Sequence, residues 1–213
     1  MSVTQEVPSI LEAQRVDKQP LPLPPILQAE TTLLASVTDQ FHETVLGLLD
    51  ALNQISHDAG INISTSLARK HRLADLSTHA WSFSDTPPSQ PKTPTQASAP
   101  IPTLAVSLFF CDARGLQTFV QDTQDWRSVE PCNGCAVVNV GNSLRFLSGR
   151  KFRSVVHRVA PYPGETTENR SSCAYFVGPR MDVEFEDEKG EQWKSIDWHM
   201  RKYKSYREAG KTA

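Results

Sequence analysis

Residues 137–177 read VVNVGNSLRFLSGRKFRSVVHRVAPYPGETTENRSSCAYFV. Apolar, β-branched and aromatic residues form runs of strand length in this stretch, and glycine, serine and proline separate the runs. Such a pattern is typical of short strands joined by turns. His157 ends the central run, Arg170 follows thirteen residues later, and Ser172 stands two residues further on. These polar residues are candidate site residues, because an imidazole can bind a metal and a guanidinium can bind a carboxylate.

The same strand pattern occurs on both sides of this stretch. Short runs with strand-like composition recur at regular spacing, and turn residues separate them. They are His79–Ser84, Thr103–Phe110, Gly115–Val120, Trp126–Val129, Cys135–Val140, Phe152–His157, Ser172–Val177 and Met181–Phe185. Many short strands at such spacing predict a β-sandwich or barrel, and with the helices described next the chain is α+β, mainly β.

One long helix is predicted before the strands. Apolar residues recur at spacings of three and four from Leu34 to Leu52, which places them on one face of a helix that packs on a sheet. Thr31 or Thr32 would cap its start. Residues Asn62–Leu73 are a weaker and shorter helix candidate.

Length and proline distribution indicate the domain organisation. A chain of 213 residues is long enough for one domain with a substantial core. Prolines are frequent within 1–29 and 86–102, so we expect an extended or partly disordered N-terminal segment and a mobile loop. Residues 30–213 then form a single domain that ends in a helix near 194–209, where the chain reads SIDWHMRKYKSYREA.

Charge and hydropathy exclude several classes of protein. The net charge of −2 gives no basic stripe of the kind that nucleic-acid-binding domains carry. No run approaches eighteen apolar residues, so we expect no membrane span. The N-terminus lacks the basic and apolar regions of a secretory signal. A soluble, cytoplasmic protein is the expectation.

Four cysteines are too few and too scattered for a secreted disulfide scaffold: Cys111, Cys132, Cys135 and Cys173. Cys132 and Cys135 form a C-x-x-C motif in PCNGC. A structural zinc site would need a second pair or histidines at ligand spacing. A redox pair would stand at the start of a helix. The proline and glycine around this motif instead predict a plain turn.

Seven short motifs occur in a fixed order over about two thirds of the chain. They are VSLFF at Val106–Phe110, GLQ at Gly115–Gln117, WRSVEP at Trp126–Pro131, VVNVGN at Val137–Asn142, SVVHRV at Ser154–Val159, RSS at Arg170–Ser172 and FVGP at Phe176–Pro179. In this order they resemble the isopenicillin N synthase-like group of 2-oxoglutarate- and iron(II)-dependent oxygenases, in its fungal natural-product branch. The resemblance implies a double-stranded β-helix, the cupin-like jelly roll, with helices on one outer face.

The resemblance also implies roles for the candidate residues. His157 corresponds to the distal iron ligand of the family, and Arg170 with Ser172 corresponds to the pair that holds the far carboxylate of 2-oxoglutarate. The family's iron site is a triad of two histidines and one carboxylate, which leaves positions for 2-oxoglutarate and dioxygen. Fe(II) and 2-oxoglutarate are therefore the cofactors that the family implies.

The chain departs from the family where the other two ligands belong. Anchored on the VSLFF motif, the expected His-x-Asp falls on Pro100–Pro102, which reads PIP. A proline side chain has no donor atom for a metal, so His157 is expected to be a lone remnant of the triad without bound iron. By the same comparison we expect the family's N-terminal segment to be missing, and Asn142 stands where the family usually has aspartate.

Two other pairs of residues are candidates for substitute ligands. His79 with Asp85 stands one strand too early, and Cys111 with Asp112 stands beyond the far end of its strand. Neither pair is expected to have the adjacent-strand geometry that a facial triad needs.

These observations favour a catalytically degenerate subunit. It would form a heterodimer with an active 2-oxoglutarate/Fe(II) oxygenase homologue in fungal secondary metabolism, for example in meroterpenoid assembly. Aromatic residues are frequent interface anchors, and the C-terminal region offers four of them, which ordinary helix packing would also explain: Trp193, Trp198, Tyr203 and Tyr206. One alternative is a still active dioxygenase with atypical iron ligands. Another is a metal-free ligand binder or isomerase that uses His157 as a general base.

Overall fold

The computed structural model describes residues 28–61, 63, 66–73, 77, 79–86, 104–160 and 170–209. Three α-helices lie within these residues, α1 (Thr31–Asp58), α2 (Asn142–Leu147) and α3 (Ser195–Ala209), together with a 3-10 turn at Ala68–Lys70. The strands are β1 (Ala80–Thr86), β2 (Val106–Cys111), β3 (Leu116–Val120), β4 (Asp125–Ser128), β5 (Val137–Val140), β6 (His157–Val159), β7 (Arg170–Val177), β8 (Glu184–Glu186) and β9 (Gln192–Lys194).

Two predictions fall almost entirely outside the described residues. The N-terminal segment 1–29 has only its last two residues within them, and the proline-rich loop 86–102 has only its first. The Pro100–Pro102 motif also lies outside them.

Seven of the described strands form two antiparallel sheets, with the order β1-β7-β2-β5 in one and β4-β3-β6 in the other, and β8 pairs with β9 in a separate two-stranded sheet. The chain crosses repeatedly between the two sheets, since β1 and β2 lie in the first, β3 and β4 in the second, and β5, β6 and β7 then alternate, as in a double-stranded β-helix. The register pairs Thr86 with Arg170 across β1 and β7, and Cys111 with Ser172 across β2 and β7. This architecture confirms the predicted jelly roll.

The core lies where α1 covers the four-stranded sheet. Tyr175 on β7 and Leu108 on β2 are at most 3% exposed. Phe41 of α1 stacks on Phe110 with ring centroids 4.9 Å apart and lies 5.5 Å from the ring of Trp81. Removing a buried aromatic side chain such as that of Trp81, which is 6% exposed, costs about 3–5 kcal/mol. The apolar periodicity predicted for α1 is therefore the face that packs on the sheet.

The predicted start of α1 is correct, but its capping is not. Glu30 is the N-cap residue, and its side chain makes no capping hydrogen bond. The hydroxyl of Thr31 donates to the carbonyl oxygen of Gln28 at 2.7 Å, in the turn that precedes the helix. Thr31 therefore marks the start of α1, but its side chain does so by bonding to the preceding residues and not by capping the helix.

The weaker helix predicted at Asn62–Leu73 is mostly absent from the described part of that segment. Only the 3-10 turn Ala68–Lys70 forms there. The backbone N–H of Arg180 donates to the carbonyl oxygen of Lys70 at 2.8 Å. The carbonyl oxygen of Lys70 is thus hydrogen-bonded to a segment distant in sequence, whereas in a longer helix it would accept from an N–H of the same helix.

The strand predicted at Phe152–His157 is displaced, because β6 begins only at its last residue. The N–H of Phe152 donates to the hydroxyl of Ser148 at 3.2 Å. The carbonyl oxygen of Val156 accepts from the N–H of Phe119 at 2.8 Å. Residues 152–156 are therefore held by one side-chain and one isolated backbone hydrogen bond, and regular strand pairing begins only at His157.

Helix α2 was not predicted from the sequence. Leu144 and Leu147, three residues apart, are both buried and form its inner face. Gly141 precedes the helix, and a Cβ atom there would lie 1.9 Å from the carbonyl oxygen of Leu104. The glycine of the VVNVGN motif is thus required by a close approach of two backbone segments.

A hairpin of β8 and β9 was also missed, since only a strand at Met181–Phe185 was predicted. Asp187 stabilises its turn. The carboxylate oxygen Oδ1 accepts from the N–H groups of Lys189 and Glu191 at 2.8 and 3.1 Å. Its other oxygen accepts from the indole N–H of Trp193 at 3.1 Å.

The C-terminal helix is present as α3, but one of its expected interface anchors lies in the core. Trp198 is 1% exposed and contacts the rings of Phe146 and Phe185 edge-on at 5.4 and 5.6 Å. Trp193 is half-buried beneath the guanidinium of Arg201 at 4.8 Å. The expectation that Trp198 anchors a partner is wrong, because its ring attaches α3 to the protein's own core.

Candidate functional site

Arg170 is the first residue of β7 and is 9% exposed. Its Nε donates to the carbonyl oxygen of Arg114 at 3.1 Å. Its Nη1 lies 3.4 Å from the hydroxyl oxygen of Ser172, to which it donates. The guanidinium carbon is 5.6 Å from the centre of the Phe109 ring. The predicted Arg170–Ser172 pair therefore forms, and the backbone of the β2–β3 turn and one aromatic ring hold it in place.

Gly115 makes room for this arginine. Its φ of 129° lies in a region that other residues rarely adopt. A Cβ atom at Gly115 would lie 3.1 Å from Nε of Arg170 and 3.0 Å from the carbonyl oxygen of Ala160. The GLQ motif thus contributes to the site through the absence of a side chain, a role that the sequence alone does not reveal.

The guanidinium of Arg170 retains one unused NH2 group. Its Nη2 is buried and makes no hydrogen bond within the described part of the chain. A buried cation is costly unless an anion or hydrogen-bond acceptors compensate for lost water. The planar guanidinium suits a carboxylate, which can accept two parallel hydrogen bonds. The geometry leaves a buried guanidinium group that has the shape and charge to accept a carboxylate.

His157 begins β6 and is half-buried. It pairs with Thr118 of β3. Its Nδ1 lies 3.3 Å from the carbonyl oxygen of Val155, which can only accept, so the proton is on Nδ1. Burial lowers the pKa of His157 below its ordinary value, and the hydrogen bond to Val155 opposes this only in part. At pH 7 the imidazole is therefore neutral, with a lone pair on Nε2.

The strand pairing brings His157 and Arg170 to the same end of the two sheets. The N–H of Ala160 donates to the carbonyl oxygen of Gly115 at 2.8 Å, and Gly115 contacts Arg170. His157 stands three residues before Ala160, which is roughly 10 Å along an extended strand. The two candidate residues thus lie in the same region of the fold.

The described residues do not fit an iron ion. They contain no group of three histidine, cysteine, aspartate or glutamate side chains that could hold a metal. The sequence places prolines, which have no ligand atom, where the family has its other two ligands. A single imidazole does not form a facial triad.

The candidate substitute ligands are not assembled in the described residues. Asp112 binds the backbone of a neighbouring strand, since its Oδ1 accepts from the N–H of Ser171 at 3.0 Å. His79 precedes β1 at the end far from Arg170, roughly 20 Å along the strand. Its Nδ1 accepts from the N–H of Gly178 at 3.1 Å. The side chain of Asp85 lies outside the described residues.

Asn142 has a structural contact that the sequence did not reveal. Its Oδ1 accepts a hydrogen bond from the hydroxyl of Ser154 at 2.6 Å. This bond ties the start of α2 to the segment that leads into His157. Asn142, which replaces the aspartate usual in the family, therefore helps to position the segment that leads into His157.

The C-x-x-C motif forms the predicted turn. The N–H of Cys135 donates to the carbonyl oxygen of Cys132 at 3.0 Å. Gly134 has a φ of 73°, as the third position of a type II turn requires. Both thiols are exposed, with their Sγ atoms 3.0 Å apart. The hydrogen bond to Cys132 raises the pKa of the Cys135 thiol.

Among the helices that the structure describes, none is both long and apolar enough to cross a bilayer.

Known proteins resemble this chain in sequence and in fold. A model of the 2OG-Fe(II) oxygenase superfamily matches residues 84–179. The oxidoreductase vrtI of Penicillium aethiopicum is 45% identical over 103 residues, which are 48% of this chain and 25% of that protein. The 2-oxoglutarate-dependent dioxygenase iboH of Amanita muscaria is 43% identical over 108 residues, 49% of this chain and 52% of that protein. The chain thus spans between a quarter and about half of these relatives.

A solved structure extends the likeness to the fold. A full-length Neurospora crassa protein, crystallised in complex with alpha-KG, superposes with a TM-score of 0.65 and 21% identity, over 86% of this chain and 60% of that one. At this identity the likeness concerns the fold alone. Together with the motifs from VSLFF to FVGP, the sequence matches place residues 84–179 in the 2-oxoglutarate/iron(II)-dependent oxygenase superfamily.

Proposed function

We propose that this chain is a non-catalytic member of the superfamily. It keeps the carboxylate-binding position of the 2-oxoglutarate site at Arg170 and Ser172, does not assemble the iron triad, and supports an active oxygenase homologue in fungal secondary metabolism. The observation that carries the proposal is the buried guanidinium with an unused Nη2, in a structure whose described residues, His157 included, contain no group of three possible metal ligands.

The contacts of Arg170 support retained carboxylate binding. Arg114, Ser172 and Gly115 fix the orientation of the guanidinium before any ligand arrives. A preorganised donor loses less conformational freedom on binding than a mobile surface arginine does. A charge-assisted hydrogen bond contributes about 1.5–3 kcal/mol. Without chelation by iron, binding of 2-oxoglutarate is therefore expected to be weak but specific.

The relatives support the chemical class of the ligand. Several of them are named as 2-oxoglutarate-dependent dioxygenases, among them iboH of Amanita muscaria. In the proposed complex the active homologue would supply the iron site and the oxidation. This chain would contribute surface and a carboxylate-binding position.

The surface next to the site supports a partner. Val155 and Val156 immediately precede His157, and they are 42% and 53% exposed. In the proposed complex these two exposed valines would be the centre of the apolar contact with the partner. The backbone of Val156 is held in place, because its carbonyl oxygen accepts from the N–H of Phe119. The exposed side chain is therefore presented on an anchored segment.

Binding of 2-oxoglutarate without metal tests the proposed carboxylate-binding role of Arg170 and Ser172. Titration followed by calorimetry is expected to show weak saturable binding in the presence of a chelator. Arg170→Gln is expected to weaken it roughly tenfold to hundredfold. The matched control is Arg201→Gln, which removes the same charge from an exposed position on α3. Equal affinity in the Arg170 and Arg201 variants would contradict the carboxylate-binding role.

Anaerobic reconstitution with iron(II) tests the proposal that the chain does not assemble the iron triad. After desalting, we expect less than stoichiometric iron and no turnover of 2-oxoglutarate by this chain alone. Stoichiometric iron together with succinate formation, both lost in His157→Ala, would overturn the proposal in favour of an active dioxygenase with atypical ligands.

A further inference from the structure

A positively charged groove lies at the other end of β7 from Arg170. Its volume is about 490 Å³, within the range of small-molecule sites. It is lined by Ser66, Arg69, Lys70, Arg180, Val183 and Glu184. The eight residues of β7 span roughly 23 Å, so this groove is separate from the carboxylate-binding position.

Backbone contacts bring the cations of the groove together. Arg69 and Lys70 belong to the 3-10 turn. The N–H of Arg180 donates to the carbonyl oxygen of Lys70 at 2.8 Å, which places the two chain segments side by side. The hydroxyl of Ser66 accepts from the N–H of Arg69 at 3.5 Å. The convergence of positive charge is therefore set by the fold and not by mobile side chains alone.

This arrangement carries an electrostatic cost. Lys70 is half-buried, and its pKa is lowered by burial and by the charge of Arg180. Nε and Nη2 of Arg180 donate to the two carboxylate oxygens of Asp182 at 3.0 and 2.7 Å. Asp182 is largely exposed, and its negative charge does not prevent Arg180 from lowering the pKa of Lys70. Two adjacent cations repel each other, whereas a bound anion would relieve their repulsion.

The charge balance of the lining indicates the class of ligand. Among the described residues, three lining side chains are cationic and Glu184 is anionic, and the Asp182 carboxylate pairs with Arg180, which leaves a net charge of +1 at the groove. A bound anion offsets this positive charge. Guanidinium groups bind phosphate oxygens in pairs, an ammonium group adds a point charge, and a hydroxyl completes such a site.

We propose that this groove binds the phosphate group of a small phosphorylated molecule, with Arg69, Lys70 and Arg180 as the cationic contacts and Ser66 as a hydroxyl donor. The inference is independent of the oxygenase site, because the groove lies at the opposite end of β7 from Arg170.

Inorganic phosphate is the probe for the first experiment. The full chain is titrated at pH 7.5 with phosphate, and separately with sodium chloride at matched ionic strength, while NMR records the Nζ group of Lys70. We expect saturable shifts with phosphate only, and a rise in the pKa of Lys70 on binding. Lys70→Gln and Arg69→Gln are each expected to weaken binding at least tenfold.

Two matched variants control for loss of charge. Lys204→Gln and Arg127→Gln remove cations at exposed positions outside the groove and are expected to leave phosphate affinity unchanged. Circular dichroism verifies that all four variants are folded. Shifts that do not saturate, or that chloride reproduces, would overturn the inference. The inference would also be overturned if Lys70→Gln and Arg69→Gln left phosphate binding intact, or if the control variants weakened it equally. If 2-oxoglutarate bound this groove as tightly as phosphate does, the assignment to phosphate would be wrong.

Discussion

Gly115 is the residue that lets the Arg170 guanidinium lie against the β2–β3 turn. Its φ of 129° and the 3.1 Å approach of Nε both exclude a side chain. We expect Gly115→Ala to destabilise the chain by about 1–3 kcal/mol through backbone strain. It should also weaken 2-oxoglutarate binding, because the arginine must move. Chemical denaturation and calorimetry measure the two effects.

Gly134→Ala is the matched control for that substitution. Gly134 also has a positive φ, 73°, but no atom lies within 4 Å of the Cβ position. This variant is expected to lose stability without losing 2-oxoglutarate affinity. If both glycine variants reduce binding alike, the close contact at Gly115 is not what orients Arg170.

The four cysteines differ in whether they can form a disulfide bond. The thiols of Cys132 and Cys135 are exposed and in contact. Cys111 pairs with Ser172 and Cys173 pairs with Phe110, so these two cysteines lie on opposite faces of the sheet. Oxidation by glutathione disulfide is expected to link only Cys132 to Cys135. Peptide mass spectrometry after alkylation checks the pairing, and a Cys111–Cys173 crosslink would contradict this register.

At the scale of elements, α1 and its neighbours bury three histidines. His42, His71 and His79 are at most 2% exposed. The rings of His42 and His79 lie 4.8 Å apart, and Nδ1 of His42 is 3.1 Å from the hydroxyl of Tyr175. The carbonyl oxygen of Leu67 accepts from Nδ1 of His71 at 2.6 Å. This cluster makes the packing of α1 sensitive to acid.

The sensitivity follows from His71. Burial lowers its pKa from 6.5 to about 4, and the nearby His42 and Lys70 contribute to the lowering. As pH falls below 6.5, the unfolded chain binds a proton before the folded chain does. The stability contributed by neutral His71 is therefore complete above pH 6.5 and is lost as pH falls toward 4, by about 3 kcal/mol.

Urea unfolding between pH 4 and 7.5 measures this loss. His71→Asn keeps an N–H donor for Leu67 but does not titrate. We expect this variant to be less stable than the native chain at pH 7 and to lose less stability on acidification. An unchanged slope between pH 6.5 and 4 would show that another group is responsible.

Elements with a strong periodic signal were predictable, whereas elements formed by distant contacts were not. The apolar spacing of α1 and the strand-like composition of β2, β3 and β7 depend on their own residues, and they form close to where they were predicted. Helix α2 is six residues long and depends on Gly141 meeting Leu104. The segment Asn62–Leu73 forms only a turn in its described part, because Arg180 binds the carbonyl group of Lys70.

At the scale of the whole molecule, the proposed partner is the decisive test. Co-expression with oxygenase homologues from the same source, followed by affinity purification and size exclusion, is expected to yield a heterodimer. Val156→Asp should reduce recovery of the partner at least tenfold, because it places a charge in the proposed apolar contact.

Ile55→Asp is the matched control for the partner surface. Ile55 is 65% exposed on α1, so the same change of charge is expected to leave the complex intact. A monomer that binds none of the homologues would contradict the supporting role. Equal loss in both variants would place the contact elsewhere.

The sequence by itself determined the family and the jelly roll, because motif order and strand periodicity are local properties of the chain. It also identified Arg170, Ser172 and His157 as candidate residues, and prolines where two iron ligands belong. Only the tertiary structure decided that the guanidinium is buried with an unused donor, that Gly115 makes its space, and that Trp198 faces inward. Burial and close approach depend on residues far apart in sequence, so no local pattern specifies them.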